Sequence, residues 1–152
     1  MKVYLGRYPK GEGKRKISIR IDKWDTWSMD HTLALLISPM LKQLKATTHG
    51  APATDDDDVP LDLRDAKDGK DGDVDSNHFK RWDYILDEMI WTFDALIEGD
   101  EKFFDHYAVD NDAPITKQAM QIKIDSDRLD AHHARIKNGL RLFGKYYQAL
   151  WD

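Results

Sequence analysis

Cysteine is absent from this 152-residue chain. Its absence excludes a disulfide framework, a thiolate zinc site and a cysteine nucleophile, and suits a reducing compartment. Long apolar runs are absent as well. The longest uncharged stretch, Thr32 to Leu41, has ten residues and contains Pro39, so no segment is long enough to span a bilayer. The first ten residues, MKVYLGRYPK, lack the apolar core of a signal peptide. Glutamate is scarce, four residues against 24 Asp. Aspartate competes with the backbone for hydrogen bonds, so most of these acids belong in loops and at helix ends. What is plentiful is aromatic: five Trp, six Tyr and five Phe argue for one packed domain over residues 1–152.

The formal charge of −5 averages very different parts. Residues 1–23 hold eight basic residues against Glu12 and Asp22, a local +6. From Ala131 to Trp151 there are four basic residues and no acid. Residues 55–75 carry ten Asp against three basic residues, or −7. The acidity therefore sits largely in one segment, and an anionic ligand remains compatible with the net charge. Residues 24–130 carry −14, which argues against binding of extended duplex nucleic acid.

Periodicity gives an α-dominated α+β domain with about three principal helices and a small N-terminal hairpin. Val3, Tyr4 and Leu5 make a short first strand. Ile17, Ile19 and Ile21 alternate with polar residues in a second, and Gly11 and Gly13 permit the turn between them. Asp25, Ser28 and Asp30 offer caps for a first helix carrying Leu33, Leu36, Ile37, Met40, Leu41 and Leu44, kinked at Pro39 and ended by Gly50 and Pro52. Residues 51–76 read as a mobile acidic surface excursion. Phe79, Trp82, Leu86, Met89, Ile90, Phe93 and Ile97 stripe a second helix closed by Gly99. Residues 101–116, with Phe103, Phe104 and Tyr107, suggest a packed loop or a poor strand. A last helix starts between Thr116 and Asp127, with Leu129, His133, Ile136, Leu140, Phe143, Tyr147 and Leu150 inward. Gly139 and Gly144 weaken it and imply a close approach.

Two constellations carry candidate chemistry. Arg20, Trp24, Trp27, Ser28 and His31 crowd a strand-to-helix junction, where free backbone N–H groups favour anions and indole faces can stack on a base. The plainer alternative is a capped helix start with both Trp in the core. Arg135, Asn138, Arg141 and Lys145 share one flank of the last helix and suit a phosphate, the alternative being a solvated face. Asp83, Asp87, Asp94 and Glu88 resemble a metal or acid–base set, but the first helix offers no partner carboxylates. No catalytic, metal or cofactor signature appears.

The stretches IRIDKWDTWSMDHTLALLISPMLKQLKATTHGAP, SNHFKRWDYILDEMIW and RIKNGLRLFGKYYQALWD resemble a family of small proteins of unassigned activity encoded by large tailed phages, marine and cyanobacterial ones included. In those relatives the segment before the IRID strand is longer than the run from Arg7 to Arg15 here. The resemblance implies an accessory protein in the cytoplasm of an infected bacterial host, as a virion component, a binder of a host protein or an inhibitor of host defence. Some inhibitors of the last kind sequester nucleotide-derived signals. The expectation is a non-catalytic, possible homo-oligomeric binder of a small nucleotide-like anion, its pocket walled by Arg20, Trp24, Trp27, Ser28 and His31 on one side and by Arg135, Asn138, Arg141 and Lys145 on the other.

Overall fold

The structure is a computed structural model that describes residues 1–11, 13–70, 73–105, 114–116 and 123–151. Strands β1 (Lys2–Leu5) and β2 (Ile17–Arg20) pair antiparallel with Lys2 opposite Arg20, Val3 opposite Ile19, Tyr4 opposite Ser18 and Leu5 opposite Ile17. Successive side chains of a strand alternate faces, so Val3, Leu5, Ile17 and Ile19 make an aliphatic face, and Lys2, Tyr4, Ser18 and Arg20 a polar one. All eight strand residues are exposed. Gly11 takes a φ of 93°, which a larger residue resists, and lets the connection reverse.

Helix α1 (Met29–Thr47) runs unbroken through Pro39, and α2 (His78–Glu98) ends at Gly99 with a φ of 72°. Lys45 reaches Asp87, Lys42 reaches Asp94 and His31 lies against the Leu96 carbonyl, so the two helices are antiparallel. Helix α3 (Ser126–Lys145) packs on another side of α2, from His133 beside Asp100 to Tyr146 beside Trp82. Helices α1 and α3 therefore run parallel to each other across α2. The core is α2's Trp82, Ile85, Leu86, Met89 and Phe93, closed by Ala34 and Leu41 of α1, Leu142 and Tyr146 at the end of α3, and Val59. Strands β3 (Phe104–Asp105) and β4 (Lys123–Ile124) form a second two-stranded sheet, after a 3₁₀ turn whose Phe103 is buried. Tyr107 lies outside the described residues. No helix among the described residues is long and apolar enough to cross a membrane.

The buried line of α3 is only partly the one expected: Phe143 and Leu150 pack against the core and Leu129 and Ile136 are half-buried, but the fully buried positions are His132, Gly139, Leu142 and Tyr146, while His133, Leu140 and Tyr147 are exposed. Gly139 explains the rotation: a Cβ there would lie 1.8 Å from Thr92 Oγ1 and 3.0 Å from the Glu88 carbonyl, so α2 passes where a side chain would be. Gly144 has nothing within 4 Å and serves no such approach.

The acidic segment read as an excursion is knitted to the helices. Asp75 holds Arg81 through two hydrogen bonds of 2.9 and 2.5 Å, both side chains nearly buried, and this pairing holds the Asp75 carboxyl well below the usual carboxylate range. Asn77 Nδ2 donates to the carbonyls of Asp62 and Arg64, and the Asp56 carboxylate accepts from the Asp65 amide. Val59 joins the core, and Asp58 is 7% exposed.

Candidate functional site

Asp22 and Asp25 build the junction that follows β2. Asp22 Oδ1 accepts from the Trp24 amide at 3.0 Å, and the Asp22 amide donates to Asp25 Oδ2 at 2.6 Å, a reciprocal cap around the 3₁₀ turn Lys23–Thr26. The N-terminal ammonium donates to Asp25 Oδ1 at 2.7 Å and holds that carboxyl below its ordinary value. With its polar groups satisfied inward, the turn presents its indoles to solvent: Trp24 is 64% exposed and Trp27 82%, their rings 6.0 Å apart and inclined by 56°. Neither Trp is core. Lys23 Nζ lies 4.9 Å over the Trp24 ring. Beside the turn is a cleft of about 300 Å³ lined by Met1, Lys2, Arg20, Ile21 and Asp22.

Arg20 is the cation of this junction. Facing it across the hairpin is Lys2, which the sequence reading did not single out; the alternation of both strands, once paired, would have found it. Directly opposite like charges destabilise a strand pair. No carboxylate among the described residues pairs with either, nor with Arg7, Lys10, Lys14 or Lys16. Ser28 sits at the N-cap of α1 without a side-chain capping bond, and its carbonyl accepts from Thr32. His31 faces the Leu96 carbonyl at 3.4 Å, a contact between α1 and α2.

The other expected wall has different partners. Arg135 donates to Glu88 through Nε at 3.0 Å and a terminal nitrogen at 2.6 Å, and lies 3.9 Å over the Trp91 ring. Asn138 Oδ1 accepts from Arg141, which reaches Asp58 at 2.7 Å. Lys145 is paired with both Asp55 and Asp58, and Tyr146 OH donates to Asp58 at 2.7 Å. Burial opposes ionisation of Asp58, but bonds from Lys145, Tyr146 and Arg141 outweigh it and keep its carboxyl below the usual range. The same carboxylates raise the Lys145 ammonium above its ordinary value. A phosphate reaching these cations would have to displace a carboxylate already in place. No hydrogen bond, ion pair or ring contact among the described residues joins Arg20, Trp24, Trp27, Ser28 or His31 to this group.

Asp87, Asp94 and Glu88 of α2 are likewise structural partners, whereas Asp83 meets Lys45 through its backbone carbonyl. Asp87 meets Lys45 at 2.5 Å, Asp94 accepts from Ser38 at 2.6 Å and Lys42 at 2.8 Å, and Glu88 holds Arg135. Among the described residues, no three His, Asp or Glu converge as a metal site. One polar cluster escaped the sequence reading. Asp100, beyond the α2 C-terminus, accepts from His133 Nε2 at 2.8 Å and lies 3.8 Å from His132 Nε2. The buried His132 ring packs between Trp91 and Phe103, and that burial pushes its pKa down. Adjacent histidines on a helix gave no hint that one carboxylate lies beside both. Compared with protein-family models, with curated proteins and with solved structures, the chain matches none.

Proposed function

We propose that this chain binds a small anion with a flat ring, nucleotide-like in chemistry, at the junction of the hairpin and α1, without catalysing a reaction on it. The observation that carries the reading is the pair Lys2 and Arg20, opposed across the hairpin with no carboxylate partner among the described residues and lining a cleft with Asp22, which caps the turn that exposes Trp24 and Trp27. A phosphate between the two cations relieves their repulsion, and an indole face accepts the ring. Of the nine residues singled out in the sequence, Arg20, Trp24 and Trp27 keep a ligand role in this proposal, joined by Lys2 and Lys23. Asp22, the one carboxylate lining the cleft, caps the turn, which favours binding over acid–base chemistry. The resemblance to phage proteins supports a setting in the infected host's cytoplasm, with the protein sequestering a nucleotide-derived signal.

Thermal shift against a panel of mono-, di- and cyclic nucleotides, with inorganic phosphate alongside, tests the proposal. A ligand at a hundred times its dissociation constant adds about 2.7 kcal/mol. That increment should vanish in Arg20→Ala and shrink in Trp27→Ala. Arg141→Ala should lower the baseline stability yet keep the increment. No shift with any compound, or a shift indifferent to Arg20→Ala, refutes the reading. A second reading, a virion component or a binder of a host protein, is favoured by the position of the exposed apolar groups: of the 22 large apolar side chains exposed among the described residues, eleven lie in the first 29 residues.

A further inference from the structure

We infer that the aliphatic face of the N-terminal hairpin is the contact surface for a second copy of this chain, the two faces stacking about a two-fold axis. The inference does not need the ligand reading, but the two share Met1 and Ile21, which continue this face and also line the cleft beside the turn.

A two-stranded hairpin is marginal by itself and gains stability when an apolar face is covered. Among the described residues, nothing in the same chain buries it. Val3, Leu5, Ile17 and Ile19 share one face, and Met1 and Ile21 continue the alternation. Among the described residues no strand residue of the hairpin is buried, and the hairpin's hydrogen bonds and ion pairs stay within it and the following turn. The six side chains are each 39–61% exposed. At about 200 Å² for a large aliphatic residue they offer at most about 600 Å² a side and about 1,200 Å² for a symmetric pair, just above the roughly 1,000 Å² expected of a specific interface.

Charge selects the occupant. The side chains of the face are uncharged and the Met1 ammonium at its end is held by Asp25 at 2.7 Å, while Lys2 and Arg20 lie on the opposite side of the sheet. An acidic partner would find its complement on that other face. A second copy of the aliphatic face meets this one with no unpaired charge to desolvate. Stacked sheets lie about 10 Å apart, so the cations of the two copies point outward into solvent. A two-fold contact requires a self-complementary patch, which a uniform aliphatic surface provides.

The absence of native cysteine makes the test direct, because a single introduced thiol is the only one present. The full-length chain should sediment as a concentration-dependent dimer between about 1 and 100 µM. Ile19→Lys should be monomeric throughout, with the helical circular dichroism unchanged. Ser18→Lys, on the other face, should keep the wild-type mass. Under mild oxidation Ile19→Cys should form covalent dimers at least tenfold faster than Ser18→Cys, a comparison that holds even where Ile19→Lys perturbs the hairpin. A wild-type chain monomeric across the range, or equal cross-linking rates, overturns the inference. So does a dimer that survives Ile19→Lys but dissociates in Met40→Lys, which would place the contact in the apolar groove of Ile37, Met40, Leu44, Phe143 and Tyr147 between α1 and α3.

Discussion

Single atoms decide how α2 and α3 meet. The missing Cβ of Gly139 leaves room for Thr92, whose hydroxyl would lie 1.8 Å from it. Gly139→Ala should destabilise the fold by about 1–3 kcal/mol through forced separation of the helices. Gly144→Ala, with open space around it, should stabilise it by up to about 1 kcal/mol through helix propensity alone. Urea denaturation of the two variants side by side checks the contrast; similar effects from both would mean that the close crossing is not what Gly139 provides. His132 supplies a second residue-scale expectation. Desolvation lowers its pKa from 6.5, with the Lys102 and His133 charges acting the same way and Asp100 and Glu98 against them. The unfolded chain therefore takes up this proton first, so the stability from a neutral His132 is complete above pH 6.5 and drains away as pH falls below it. His132→Phe keeps the ring between Trp91 and Phe103 and should lessen the fall in melting temperature that the wild type shows between pH 7 and 5.

At the scale of elements, the acidic segment works as a strap on the end of α3. Asp58 is buried and gathers Arg141, Lys145 and Tyr146, while Asp57 beside it is almost fully exposed. Asp58→Asn should cost about 1–3 kcal/mol, less than for a fully buried pair because Arg141 and Lys145 can turn back to water. Asp57→Asn should stay within about 0.5 kcal/mol in the same urea series. Because the folded pKa of Asp58 lies below 3.8, this stabilisation is present above pH 4 and is lost as pH falls through the folded value. The three helices and the hairpin were legible because each carries a period of 3.6 or 2 that survives without knowledge of its neighbours. The buried side of α3 was less so: Leu140 and Tyr147 carry far more apolar surface than Gly139, yet proximity to α2 is set by the residue with no side chain. The role of Arg141 and Lys145 was hidden for a related reason. Their partners lie about ninety residues away in a stretch whose composition alone resembles a solvated linker. At the junction Asp25 was legible as a capping residue, though for α1 rather than for the 3₁₀ turn that it closes with Asp22, and the outward orientation of both Trp was not legible, since indoles usually pack inward.

Across the whole molecule the charge divides into an acidic body, −11 over residues 24–152, and a basic end, +6 over residues 1–23. Part of the acidic segment pairs with the C-terminal helix, while the cationic, aliphatic hairpin is joined to the bundle by the turn Lys23–Thr26 and the bond from Met1 to Asp25. No hairpin side chain belongs to the core cluster. The two parts should therefore unfold almost independently, the helices with the cooperativity of a shared core and the hairpin with little protection of its own. Removing residues 1–22 should leave a helical domain whose urea midpoint and slope match those of the full chain to within about 1 kcal/mol. The comparison belongs at low protein concentration, because any dimer formed through the hairpin adds stability by mass action that the shortened chain lacks. As the concentration rises, the full chain alone should gain stability, and it alone should respond to nucleotides. A loss beyond about 2 kcal/mol in the shortened chain at low concentration would mean that the hairpin contributes to the bundle after all, since only buried contacts between the two parts produce a deficit of that size without a second copy.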